Sequence, residues 1–335
     1  MPIRIRDIAY HLPEQIITNE QFGTQYPEWD MKHVAERSGV LQRHVAAENE
    51  TALDLAYSAC QKLLAAHPDL KEKIDGIVFC TQSPDYIMPP NSYLLHQKLA
   101  LPDNVLAFDF NLACSGFIYG LALSRGLAAT GMASNILLVT ADTYSKYINP
   151  GDRSVRTLFG DGAAVTWLAA GETSGVVDIE LGSSGKGHKA FIIPAGGLRL
   201  PRSAETAIPE TDDNGNVHSQ NDIYMDGMGI LTFVNSKVPK QIRALLERNQ
   251  LTLDAVDLFV FHQASKVTLD SLARILKIKP EKEYRNLATV GNTVSASIPI
   301  ALKDAQDNGK LKSDDVVLVS GFGVGLSWGS AILKF

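Results

Sequence analysis

Short apolar runs recur along the chain between polar stretches. IDGIVFCTQS (74–83), VLAFDFNLA (105–113), NILLVTADTYS (135–145), VDLFVFHQAS (256–265) and DDVVLVSGFGVG (314–325) are rich in Val, Ile, Leu and Phe. Runs of this length bounded by polar residues predict buried strands. Two small-residue stretches, CSGFIYGLALSRGLAATG (114–131) and NTVSASIPIALKDAQDNG (292–309), predict helices, each ending at a glycine.

The pattern repeats over a long period. Segment 74–83 resembles 256–265, and 135–145 resembles 314–325. Phe79 then matches Phe261, and Val139 matches Val319, each about 180 positions later. Two similar halves, 1–172 and 173–335, therefore each carry strand–helix–strand order. Alternation of this kind predicts an α/β fold with mostly parallel central pairing. Helices of Ala, Ser and Gly suit a layer squeezed between two sheets, so the expected architecture is a five-layer α/β/α/β/α sandwich with pseudo-twofold symmetry. One stretch breaks the pattern: RLPRSAETAIPETDDNGNVHSQND (199–222) is polar and turn-rich, which predicts a long surface loop or lid.

Composition narrows the class. The chain has 335 residues, 45% hydrophobic and 20% charged, ample for a large core. No apolar run reaches the ~18 residues of a membrane span, and the N-terminus lacks the apolar segment of a secretory signal. Cys60, Cys80 and Cys114 form neither a CxxC nor an even disulfide framework, which fits a reducing cytoplasm. A net charge of −6 argues against a general nucleic-acid binder. There is no HExxH, and the eight histidines are not at metal-ligand spacing, so neither metal nor resident cofactor is expected. GFGVGLSWG (321–329) lies too near the end for a dinucleotide βαβ unit, GSSGKGHK (182–189) is not a P-loop, and FGDGAAV (159–165) reads as a tight turn between strands.

Three chemically capable residues fall where strands give way to helices, the place where ligands bind in open α/β sheets. Cys114 follows one strand, His262 ends another, and Asn292 opens the helix after NLATVG. A cysteine at a helix N-terminus has its thiolate favoured by the dipole and free N–H groups, and the same N–H groups can hold an oxyanion. Each residue also has a bland reading: a buried core cysteine, a solvated histidine, and an asparagine that merely caps a helix. Cys60 and Cys80 read as structural. A papain-like hydrolase shares the chain order Cys, His, Asn, yet its CGSCW signature is missing and it does not account for the duplicated halves.

Taken in order, ACSGF, LFGDGAA, HQAS, GNTVSAS and WGSAILKF make the sequence resemble the thiolase-fold condensing enzymes, specifically β-ketoacyl-acyl-carrier-protein synthase III. The resemblance implies that Cys114 takes an acyl group from acyl-CoA and that His262 and Asn292 stabilise the enolate formed when a malonyl thioester, malonyl-ACP or malonyl-CoA, loses CO2. It implies an oxyanion hole from the backbone N–H groups of Cys114 and Val324. It places Trp29, Arg37, Arg153 and Ser265 at the CoA or pantetheine, with Trp29 stacked on the adenine, although extra residues separate Trp29 from Arg37. It places Met88 at the acyl pocket across a homodimer interface, where an aromatic is common. It sets acyl carrier protein against a basic patch, here Lys266, Arg274 and Lys277, with Thr232 and Val267 replacing common basic residues. CoA and phosphopantetheine thioesters are substrates in this reading, not cofactors. Relatives that pass the acyl group to an alcohol or amine remain an alternative.

Overall fold

The computed structural model describes residues 2–171, 173 and 175–335, so Glu172, where the first half was expected to end, lies outside the described residues. The first half forms a five-stranded sheet from β1 (Ile3–His11), β2 (Gly76–Cys80), β3 (Leu106–Phe110), β4 (Asn135–Asp142) and β5 (Gly162–Ala170), ordered β1-β5-β4-β2-β3. The second forms a four-stranded sheet from β6 (Val176–Ser183), β7 (Leu258–Phe261), β8 (Val316–Gly323) and β9 (Ser327–Lys334), ordered β7-β8-β9-β6. The central pairs β2/β4, β2/β3 and β7/β8 are parallel, and the outer pairs antiparallel. The match for β3 in the second half shrinks to one bridge, Phe259 to Glu283.

Five layers result. Helices α1 (Ala52–Ala66) and α2 (Asn91–Lys98) cover the outer face of the first sheet. Helices α3 (Gly116–Ala129) and α6 (Ser297–Asp307) lie between the sheets, while α4 (Gly227–Arg248) and α5 (Lys266–Leu276) cover the second sheet. Small residues make the middle layer possible: a Cβ on Gly120 would lie 2.4 Å from Leu138 Cδ1, and one on Gly116 2.3 Å from Cys80 Sγ. Interiors pack too densely to absorb such overlaps for free.

The register corrects one expected match. Phe79 and Phe261 both face their sheet's outer helices, but Val139 faces α1 whereas Val319 faces the middle layer. Phe79 sits opposite Val139 and Phe261 opposite Ser320, so Ser320 is the counterpart of Val139. A one-residue slip in a strand turns every side chain to the other face, and matching by apolar identity alone does not see it. FGDGAAV is likewise not a strand-to-strand turn, because Phe159–Asp161 lead from the short helix Arg153–Arg156 into β5. Segment 199–222 is a surface loop as expected. Residues 212–216, with Gly215 at φ +79°, close a short hairpin of Glu210–Thr211 with Val217–His218. Val217 N–H donates to Gly151 O at 3.1 Å, pinning the loop to the body.

Candidate active site

Cys114 lies in the turn between β3 and α3, two residues before the helix begins. It is 3% exposed. Strand β8 of the other half runs directly over it: a Cβ on Gly321 would lie 2.5 Å from Cys114 O, and one on Gly323 3.0 Å from Cys114 Cβ and 3.1 Å from Sγ. These glycines let the two halves meet backbone to backbone. Gly321→Ala is therefore expected to lower stability by about 1–3 kcal/mol, since the atom it strikes is main chain. Urea denaturation checks this, and an unchanged midpoint contradicts the close approach.

His262 follows β7 directly. Its backbone N–H donates to Ser320 O at 2.8 Å, beside the glycine that covers Cys114. Its ring is edge-on to Phe322, which packs in the same apolar cluster as Cys114. Nδ1 lies 2.6 Å from Ser297 Oγ, and Nε2 has no hydrogen-bond partner among the described residues. Burial pushes the imidazole down to about 3, so it is neutral at ordinary pH.

Asn292 does not open a helix. Helix α6 begins at Ser297, and Asn292 instead heads a tight turn: its Oδ1 accepts from Val294 N–H at 3.0 Å while Val294 sits at φ +53°. The amide Nδ2 donates to Ala264 O at 3.3 Å, two residues past His262. The capping expectation fails because a β-branched residue at positive φ breaks the helical path between Asn292 and α6. Cys114, His262 and Asn292 are thus joined through β8, Ala264 and Ser297 at the seam between the halves.

The thiol differs from expectation. Burial first, and then the nearby Asp142 carboxyl, push Cys114 well above the ordinary thiol range, against a smaller lowering from its own N–H. This direction favours the neutral thiol over the thiolate. Cys80 is fully buried and donates to Leu112 O at 2.8 Å, and Cys60 is buried among α1 neighbours, its thiol pushed up to about 12.

The remaining sequence-derived residues are more scattered. Val324 lies in the turn between β8 and β9, where its carbonyl accepts from Ser327 Oγ at 2.6 Å. Trp29 is 8% exposed and stacked on Tyr26 at 4.1 Å, so that face is already covered and does not serve as an open platform. It precedes the helix Met31–Ser38, on which the exposed ring one turn before the exposed Arg37 is His33. Arg153 donates to Asn214 O in the long loop at 3.4 Å. Ser265 caps α5 by accepting from Thr268 N–H at 3.3 Å. Lys266, Arg274 and Lys277 are exposed, with Lys266 paired to Asp270 at 2.5 Å. Met88 is 78% exposed, beside Ile87 at 97%.

Sequence reading missed Ser297, Asp142, the covering glycines and an aromatic wall. Tyr144, Phe159 and Phe191 pack on one another at 5.3–6.3 Å between centroids in the cluster that holds Cys114. The spacing GFG in 321–323 was the one available signal for close approach. No group of three or more metal-ligating side chains occurs among the described residues. No described helix is long and apolar enough to cross a membrane.

Comparisons with known proteins agree with this geometry. The family described as 3-oxoacyl-[acyl-carrier-protein (ACP)] synthase III matches residues 108–185, and the one described as its C-terminal region matches 246–335. A β-ketoacyl-[acyl-carrier-protein] synthase III of Caldanaerobacter subterraneus subsp. tengcongensis is 35% identical over 97% of this chain and 95% of its own length. A 3-oxoacyl-(acyl-carrier-protein) synthase III crystal structure superposes with a TM-score of 0.97 at 40% identity, covering all of both chains. The enzyme from Burkholderia xenovorans LB400 superposes with a TM-score of 0.91 at 34% identity, over 100% of this chain and 94% of that one. A seam of two duplicated halves with a buried cysteine beneath a glycine strand, and likeness along the full length, place the chain in the β-ketoacyl-[acyl-carrier-protein] synthase III family of thiolase-fold acyltransferases.

Proposed function

We propose that this chain joins an acyl primer to a malonyl unit by decarboxylative condensation through an acyl-Cys114 intermediate. The observation that carries the reading is the seam itself, where β8 covers Cys114 of one half and binds neutral His262 of the other, with the Asn292 amide held two residues past His262.

In the first step the sulfur attacks the carbonyl of an acyl-CoA, the thiol proton leaves with the departing CoA thiolate, and a Cys114 thioester remains. The N–H groups of Cys114 and Val324 hold the oxyanion. In the second step a malonyl thioester enters. Its C–CO2 bond breaks, CO2 leaves, and the electron pair is held as an enolate. With Ser297 O–H donating to Nδ1, His262 presents Nε2–H to the enolate oxygen, and Asn292 presents its amide N–H. The carbanion attacks the acyl carbonyl, the C–S bond breaks, and Cys114 leaves as a thiolate that takes up one proton from solvent. Neutral donors suit this chemistry because they stabilise charge only as it develops. Transfer to an alcohol or amine has no observation in its favour, and the hydrolase reading does not fit the fold.

The extender arrives on acyl carrier protein, an acidic partner, with Arg274 and Lys277 free of ion pairs among the described residues to receive it. A homodimer fits the exposed edge strand β3 and the apolar hollow beside it, lined by Phe108, Tyr119, Leu123, Leu127, Met132 and Leu181. Met88 then belongs to the partner's acyl pocket rather than its own. Sedimentation equilibrium is expected to give twice 36.4 kDa, and a monomer at micromolar concentration contradicts this part. The working place is the cytoplasm, consistent with three free cysteines.

Reconstitution tests the function. Acyl-CoA plus malonyl-ACP is expected to release CO2 and form a β-ketoacyl thioester in equal amounts. CO2 without product, or acyl transfer that needs an added alcohol or amine, overturns it.

A further inference from the structure

Asp142 closes β4 and is wholly buried, yet the reaction as described leaves it without a task. Its Oδ1 accepts from Gln82 N–H at 2.8 Å. Its Oδ2 accepts from Ser295 Oγ and, at 3.4 Å, from Ser295 N–H. No lysine, arginine or histidine pairs with it among the described residues. The titratable groups that face it are Cys80, Cys114, Tyr144, Tyr147 and Asp161. Ser295 follows Val294, whose φ of +53° is costly for a β-branched residue and needs an outside restraint. Val294 N–H is in turn the donor that fixes the Asn292 side chain.

We propose that Asp142 is a positioning residue for condensation: it anchors Ser295, and through the strained Val294 turn it fixes the Asn292 amide. The inference rests on Asn292 acting in the second step. Burial pushes Asp142 up to about 7, against lowering by Ser295 and Gln82. The ionised form opposes a neighbouring thiolate, and the neutral form does not. A carboxamide replaces it only in part. In Asp142→Asn the amide oxygen can keep the Gln82 N–H, but the amide nitrogen then faces Ser295, whose hydroxyl must turn to accept while Ser295 N–H loses its acceptor.

The test compares Ser295→Ala and Asp142→Asn with wild type in three readouts: acyl loading of Cys114, its clearance by malonyl-ACP, and the pH profile of Cys114 alkylation by iodoacetamide. Ser295→Ala is expected to load within about threefold of wild type but to condense about tenfold more slowly. Its alkylation profile stays in place. Asp142→Asn is expected to share the slow condensation and to move the alkylation profile about one pH unit lower. Equal loss in both half-reactions for Ser295→Ala, or condensation by Asp142→Asn at the wild-type rate, overturns the proposal. Asn292→Ala separates the two claims. If it condenses normally, the role of Asn292 itself falls. If it is slow while Ser295→Ala and Asp142→Asn condense at the wild-type rate, only the role of Asp142 falls.

Discussion

Cys114→Ala is expected to form no acyl-enzyme and to condense at least about 10⁴-fold more slowly than wild type. The effect is large because in the proposed mechanism the residue supplies the reacting atom, and no other described cysteine is placed to replace it. Cys80 is the nearest alternative, and its sulfur is engaged with Leu112 O beneath Gly116. The fold should survive, since alanine deletes one sulfur at a position that is already 3% exposed and flanked by small residues. His262 and Asn292 remain in place, so the variant should still release CO2 from malonyl-ACP, now uncoupled from C–C bond formation. Intact mass, CO2 release and product formation measured on one sample check all three statements. An acyl mass on the alanine variant contradicts the assignment of the nucleophile.

Asn292→Ala and His262→Ala are expected to leave acyl loading within about tenfold of wild type and to slow malonyl-dependent clearance about 10²–10³-fold, the usual cost of one lost oxyanion donor. The asymmetry follows from position. In the proposed mechanism the acylation oxyanion is held by the main-chain N–H groups of Cys114 and Val324, whereas the enolate is held by the His262 and Asn292 side chains. Asn292→Asp should be as slow as alanine, because it turns a donor into an acceptor and faces the enolate with negative charge. The double variant should lose less than the product of the singles, since both donors hold one oxygen. Single-turnover kinetics with preloaded acyl-enzyme separate the steps. Equal loss in both steps contradicts the division of labour.

Much of this was legible in the chain itself. The apolar runs at 74–83, 135–145, 256–265 and 314–325 all became sheet strands because a fully buried strand has few other compositions open to it. The small-residue stretches became the middle helices for the same steric reason that Gly116 and Gly120 cannot be larger. Register was not legible, because Val139 and Val319 look alike while facing opposite ways. The turn at Asn292 was hidden too: GNTVSAS reads as a helix start, and only the backbone shows Val294 at positive φ. The thiol's environment was misread because a helix N-terminus is visible in sequence, while burial beside Asp142 depends on a contact between residues far apart in the chain. The packing of Trp29, one face of which is covered by Tyr26, was not legible either.

The measurement that tests the central claim most directly is intact-protein mass after incubation with a short-chain acyl-CoA, followed by addition of malonyl-ACP, with peptide mapping of the adduct. One acyl group should sit on Cys114 alone, persist without extender, and disappear on malonyl addition as β-ketoacyl product forms in equal amount. An adduct on another residue, or one that malonyl-ACP does not clear, contradicts the account.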